Sequence, residues 1–431
     1  MNKSLSTKIF IGLFSGLILG SIIQYLLSGF PVFDQYLVGT ASAVGTMFVS
    51  LIKLMVVPLV FISIVTGVCE LENSSSLGRL GGKISGLYLI NTLLAITTAL
   101  VITYFLQPGA GANLGVAASG SSALTEQGLP DIGTMIVQII PTNPFAAFAS
   151  GNMLQIIFMA IVVALAIKSL GQYAKPAQHA FSLANDIMMR LITMVMSLAP
   201  YGVFALMINL GATLDMNALS SVAGFVLICV SIMFFWIFVV YPLAVWALTG
   251  IKPSVFRAKT RELVLFSLST ASSNASIPVT TRTLVEKLGV SKALAGFGVP
   301  LGATVNMSGA AIYIAVAAVF ATNAYGVHLD VADLVTIGLT VCLMAVGVGG
   351  VPGGAVVMIA VLIQQFGLPA EALAIIAAVD RINDMVCTSS NVVGDAAVIT
   401  VVAGTEGELN HDHAKDINAT TGNTEAATEV S

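Results

Sequence analysis

The chain of 431 residues is 57% hydrophobic and 9% charged, with a formal net charge of -4. Soluble domains carry roughly 25% charged residues, so this composition cannot cover a water-facing surface, and a soluble enzyme or nucleic-acid binder is excluded. A mean hydropathy of +0.97 and apolar runs that approach the ~20 residues a bilayer helix needs predict an all-α integral membrane protein, because lipid tolerates only helices and closed barrels.

In chain order, the first span is expected over residues 9–27. Lys3 and Lys8 precede it, but its apolar stretch exceeds the ~7 to 15 residues of a signal-peptide core, so it reads as a span and not as a cleavable leader. Lys and Arg then gather at Arg79 and Lys83, at Lys168 and Lys175, at Lys252 to Arg261 and at Arg282 to Lys292, while residues 28–42, 107–131, 211–221 and 323–335 carry none. The positive-inside rule makes the first set cytoplasmic. Full crossings follow near 44–69, 84–106, 133–168, 178–210 and 222–249. The four cysteines, Cys69, Cys229, Cys342 and Cys387, are scattered through apolar segments without disulfide or metal spacing.

After Pro253 the pattern changes. Two basic clusters flank Leu263 to Leu284, a segment too short to cross twice at 1.5 Å per residue, so it reads as a re-entrant hairpin entering from the cytoplasm. Its middle, Ser267 to Pro278, is polar and proline-broken. A second broken segment, 334–366, is interrupted by Gly347-Val-Gly-Gly-Val-Pro-Gly-Gly354 and reads as a hairpin from outside. One hairpin from each side, followed by spans carrying Asn306-Met-Ser-Gly309 and Asn391-Val-Val-Gly394, suggests an inverted repeat. Eight transmembrane helices plus two re-entrant hairpins result. From Gly404 to Ser431 the composition is polar and predicts a disordered cytoplasmic tail, with His411 and His413 solvated.

The last span carries Asp380, Arg381, Asp384, Thr388, Asn391 and Asp395. Ionisable groups at membrane depth are expensive and mark function, and 384, 388, 391 and 395 fall on one helix face with Cys387 beside them. Carboxylate and carboxamide oxygens, with backbone carbonyls freed around Gly347 to Gly350 and Asn306, suit a hard cation such as sodium. Hairpin serines and half-helix N-termini suit a substrate carboxylate. Asp384 suits an amino group. A sodium-coupled transporter of an amino acid is predicted. Ser272 or Ser273 as a hydrolase nucleophile lacks an activating histidine in any nearby span.

The motifs Lys53-Leu-Met-Val-Val-Pro-Leu-Val-Phe61, Pro141-Thr-Asn-Pro144, Ala199-Pro-Tyr-Gly-Val-Phe204, the serine-rich tip, Asn306-Met-Ser-Gly309, Gly350-Val-Pro-Gly353 and Asp384 to Asp395 resemble those of the dicarboxylate/amino-acid:cation symporters, from the first span to about Val402. The resemblance implies a homotrimer in the bacterial inner membrane, both termini cytoplasmic, with no organic cofactor. Residues 1–250 would be largely trimerisation scaffold, the span near 84–106 belonging to the moving part, and 251–403 the core of an elevator transport domain. It implies a substrate site of Ser272, Ser273, Asn274, Ala310, Val351, Pro352, Gly353, Gly354, Asp384, Cys387, Thr388 and Asn391. One sodium site would use Gly302, Asn306, Asn391 and Asp395, another the carbonyls of Thr304, Ala345, Val346 and Val348. A weaker third site would involve Tyr88, Asn91, Thr92 and Ser308, where Ser308 replaces an aspartate.

Acidic-substrate members place an arginine where this chain has Cys387, and Ala310 replaces a threonine. The expectation from these departures is a small neutral amino acid, because an unpaired carboxylate in a dry pocket is very unfavourable. Arg381 stands one turn from where relatives place an auxiliary arginine, and could take that role. The alternative is the same fold carrying an acidic amino acid or C4-dicarboxylate, with Arg381 as the anion's partner and with protons as possible coupling ions.

Overall fold

The structure, a computed structural model, describes residues 5–27, 36–70, 77–112, 140–150, 153–213, 216–327, 329–345, 348, 350 and 352–419. All its regular elements are helices, apart from one isolated bridge between Val290 and Leu409. They are α1 (Leu5–Leu26), α2 (Gly39–Glu70), α3 (Leu77–Leu106), α4 (Pro144–Ser150), α5 (Met153–Lys168), α6 (Ala174–Ser197), α7 (Ala199–Thr213), α8 (Met216–Phe235) and α9 (Tyr241–Thr249). The second half holds α10 (Pro253–Thr270), α11 (Ser273–Arg282), α12 (Lys292–Val305), α13 (Ser308–Ala324), α14 (Val331–Ala345), α15 (Gly354–Gln365), α16 (Ala370–Glu406) and α17 (His411–Lys415).

Among the described residues six helical stretches are long and apolar enough to cross a membrane, and seven if the pair bent by 116° between Phe158 and Val195 is one span. The chain is therefore a multi-span helical membrane protein. Several boundaries differ from expectation. The segment 178–210 is two helices: α6 ends at Ser197 and α7 begins beside Pro200, whose missing N–H breaks the ladder. The expected span 133–168 is helical from Pro144, and its first residues lie outside those described.

The helix at the first expected hairpin, α10, begins at Pro253 and not at Leu263, so Arg257, Lys259 and Arg261 are part of it. Ala271 turns the chain with φ 49°, one of two non-glycine residues with positive φ among those described, the other being Gln107.

Packing sorts the helices into two groups. Helices α1, α2, α5, α6 and α7 pack on one another, α1 lying along α7 where Gly12, Gly16 and Gly20 admit the α7 backbone so closely that a methyl would collide. The other group surrounds α16, which touches α3, α8, α9, α10, α11, α12, α13 and α15. Residues 216–249, expected with the scaffold, pack on α13 and α16 instead. The interior is in this second group: 89% of the apolar stretch of the last helix is buried in protein, against 33% for the first.

The tail expected to be disordered from Gly404 is folded through its first part. Ser291 N–H donates to the Glu408 carbonyl and Asn410 N–H to Gly289, at 3.0 and 2.9 Å. Leu409 and Ala414 are buried. The buried Lys259 ammonium donates to the carbonyls of Lys287 and His413, the latter at 2.7 Å, so one side chain staples the tail to the hairpin base. Residues 420–431 lie outside those described. Lys259→Met leaves both carbonyls without this donor, and an unmet buried acceptor costs about 1–3 kcal/mol. The expected result is a lower unfolding temperature in detergent and faster tryptic cleavage after Lys415; unchanged cleavage would show that the staple holds nothing.

Candidate functional site

Three chain breaks of the second half converge on the polar face of α16. Ser272 caps α11: its Oγ accepts the Ala275 N–H at 3.2 Å and donates to the Gly350 carbonyl at 2.8 Å. The same carbonyl accepts the Asn274 N–H at 3.0 Å, so the first break is tied to the second. Gly350 can be nothing larger, since a methyl there would strike the Asn274 side chain and the Ala303 carbonyl. Gly353, at φ 78°, donates its N–H to Asp384 Oδ2 at 3.0 Å. Ser273 and Gly354 are buried beside these contacts, while Asn274 and Pro352 are partly exposed. Val351 lies outside the described residues.

The third break, at Asn306 and Met307 between α12 and α13, meets the other end of the α16 stripe. Asn306 Nδ2 donates to Asp395 Oδ1 at 2.9 Å, and Asn306 Oδ1 accepts from Asn91 Nδ2 at 2.9 Å. Asn391 Oδ1 accepts the N–H groups of Gly309 and Ala310, at 2.7 and 3.4 Å, and so caps the first turn of α13. The two Asn-x-x-Gly motifs thus interlock: Asn391 meets Gly309, and Asn306 lies against Gly394, where a methyl would crowd its carboxamide. Cys387 and Thr388 are buried on the same face, and the Asn391 carboxamide points its Nδ2 at Cys387 Sγ, 3.8 Å away.

Of the expected cation ligands, the structure gathers Gly302, Asn306 and Asp395 with Tyr88. A methyl on Gly302 would strike both the Asp395 carboxylate and the Tyr88 hydroxyl, so glycine is what opens this space. The Gly302 carbonyl already accepts the Asn306 N–H at 2.9 Å, leaving one lone pair for an ion. Tyr88 donates to the Gly298 carbonyl at 3.1 Å. The second expected set is less assembled: the Thr304 hydroxyl bonds back to Pro300, the Ala345 carbonyl accepts from Val348 at 3.4 Å, and Val346 lies outside the described residues. For the third, Ser308 Oγ shares a 2.7 Å hydrogen bond with Tyr241 and Thr92 is buried nearby. That pocket offers neutral oxygens where a carboxylate would hold a cation.

Several polar residues of this region escape the sequence reading. Tyr241 reaches Ser308 from the end of α8–α9, Tyr313 donates to Asp380 at 3.1 Å, and Ser267 pairs with Ser389 at 2.8 Å. Asn383 is fully buried beside Asp384. Each is a polar residue inside an apolar run, which is the signal that could have found them. Arg381, expected as a possible partner for a substrate anion, faces Asp384 instead and borders the α1, α2 and α7 group.

The sodium:dicarboxylate symporter family profile matches residues 5–405. Over 416 residues the chain is 32% identical to a Bacillus caldotenax protein named proton/sodium-glutamate symport protein, covering 95% of this chain and 96% of the relative. It is 31% identical over 423 residues to the proton/glutamate-aspartate symporter of Escherichia coli strain K12, covering 95% of each. A C4-dicarboxylate transport protein of Pseudomonas savastanoi pv. phaseolicola is 32% identical over 377 residues, 85% of this chain and 81% of that protein. The matched proteins are transporters, not enzymes. Their names overturn the expectation of a neutral amino acid drawn from Cys387 and Ala310. A buried carboxylate need not be paired by a fixed side chain, because a cation that enters with the substrate brings its own positive charge.

The cluster around Asp395 gathers carboxylate, carboxamide and carbonyl oxygens, the donor types a hard cation takes, and whether sodium binds there is testable without transport. Sodium should raise the unfolding temperature of the wild type, and Asp395→Asn should move the half-effective sodium concentration upward about tenfold, ~1.4 kcal/mol. An identical sodium titration in the variant would remove Asp395 from the ligand set.

Proposed function

The chain belongs to the sodium:dicarboxylate symporter family, and on that premise we propose that it carries an acidic amino acid of the glutamate or aspartate class across the membrane with a cation, sodium or a proton. The observation that carries this reading is the Asp384 carboxylate, buried beneath the second break and bonded to Gly353, in a chain whose full-length relatives are named for glutamate and aspartate. A buried carboxylate there attracts an ammonium and repels a plain dicarboxylate, which favours an amino acid over a C4-diacid.

The substrate's carboxylates fall to the Ser273 hydroxyl and the Asn274 carboxamide at the first break, to the Gly354 N–H at the second, and to Thr388 and Asn391 on α16, while Ser272 and Gly353 hold the two breaks in place. Ala310, Pro352 and Cys387 line the rest. The excess negative charge of an acidic substrate is offset by the co-bound cation at Asp395, Asn306 and Gly302, or by a proton on the substrate itself, since low dielectric makes close opposite charges mutually supporting. Neither partner is well placed in the site alone. That is the physical origin of coupling.

The two packing groups support an elevator-like mechanism in which the α16 group moves past the α1, α2 and α7 group. The interlocked Asn-x-x-Gly motifs support an inverted repeat built around two re-entrant hairpins. We extend the reading to a homotrimer assembled through the first group, in a bacterial inner membrane with cytoplasmic termini, as the basic connections suggest.

Proteoliposome uptake tests the proposal. Labelled aspartate should accumulate under an inward sodium or proton gradient, with glutamate competing and serine, alanine and succinate competing weakly; no acid uptake under either gradient would overturn it. Asp384→Asn removes the partner of the amino group, a loss on the order of 3 to 5 kcal/mol, and aspartate binding should become undetectable while the sodium-dependent rise in unfolding temperature persists.

A further inference from the structure

Asp384 has a second neighbour that the substrate reading does not use. Arg381 Nη1 lies 3.7 Å from Asp384 Oδ2, and both side chains are 4% exposed. The same oxygen accepts the Gly353 N–H, so the guanidinium and this N–H approach one carboxylate oxygen. Arg381 sits one helical turn before Asp384 on α16. With Asp380, Ala377 and Val356 it borders a cavity of about 10 Å³ whose opposite wall is Ile9, Phe48, Ile52, Ala199 and Val203. That wall belongs to the first packing group and is wholly apolar. Asp380 has its own donor, the Tyr313 hydroxyl.

We propose that Arg381 is a tethered counter-ion for Asp384: it holds the carboxylate's charge whenever no substrate amino group does, so that the unloaded α16 group can return across the apolar wall. A lone carboxylate dragged along that wall would be desolvated without compensation, which is prohibitive. An arginine side chain carries a fixed positive charge in proteins, so the ionised Asp384 carboxylate has a permanent partner within the chain. An arriving ammonium competes for Oδ2 and takes over the charge. The chain thereby carries within itself the cation that an unloaded carrier would otherwise have to collect from the cytoplasm. Arg381 is a positioning residue, acting through Asp384, and the inference rests on the proposed reading that the substrate is an amino acid, not on which side chain that amino acid carries.

Two fluxes separate the role. Exchange of labelled internal solute for unlabelled external solute needs only the loaded form, while net uptake into empty vesicles needs the unloaded form to return. The assay uses whichever amino acid of the uptake panel the wild type carries, so a wrong side-chain assignment leaves this test standing, whereas transport of succinate alone overturns it together with the amino-acid reading. Arg381→Gln should keep exchange within about twofold of wild type and lower net uptake on the order of tenfold or more, and Arg381→Lys should restore most of the net flux. A merely structural residue would depress both fluxes together, and that result, or normal net uptake in a folded Arg381→Gln, overturns the proposal. Wild-type vesicles give a reading that does not depend on the variant folding. Net uptake should be the same with internal potassium or choline, and a strict need for a small internal cation overturns the tethered counter-ion outright.

Discussion

Much of this structure depends on one carboxamide. Asn306 stands where the chain has left one helix and not yet begun the next, and its two polar ends join Asn91 on α3 to Asp395 on α16. In lipid there is no water to satisfy a broken helix, so a break survives only if protein groups replace the missing bonds. Asn306 does this for α3, α12, α13 and α16 at once, and Asn391 returns the favour by capping α13. Lose the carboxamide and an unpaired carboxylate faces an unravelled turn.

The other two breaks solve the same problem by solving each other's. The Gly350 carbonyl is shared by Ser272 and Asn274, and Gly353 finds Asp384. Helix association in membranes receives little help from hydrophobic burial, because lipid is as apolar as leucine. Close backbone approach and polar contacts must supply it. The glycines on α1 allow the first and the α16 stripe supplies the second, which is why the two packing groups look so different inside.

The sequence made the helical membrane class, the two broken segments and the polar face of α16 readable, because composition, proline and glycine breaks and helical periodicity are local properties. It could not give partners. Periodicity places Asp395 and Asn391 on one face without saying that Asn306 bonds the former and Gly309 the latter. Boundaries failed where a break is silent in hydropathy: Leu198 between α6 and α7 is as apolar as its neighbours, and only Pro200 hints at the end. The tail failed for another reason. Its polar composition suggested solvation, yet backbone pairing with residues 289–291 and the Lys259 ammonium order it, and neither depends on its own apolar content. The substrate misled because absence of an arginine at Cys387 was taken as absence of positive charge.

The placement of the most polar span at the end of the chain has a consequence for how the protein is made. The window that contains α16 has a mean hydropathy of 1.5, against 2.7 for residues 216–249. A ribosome delivers Ser267, Asn306 and Gly353 into the bilayer before the helix that satisfies them exists. Until α16 arrives, those groups must be held by chaperones, translocon or one another, and α16 itself enters the bilayer only because its partners are already waiting there. The second group therefore closes only when α16 arrives, and a chain without α16 leaves Ser267, Asn306 and Gly353 without these partners.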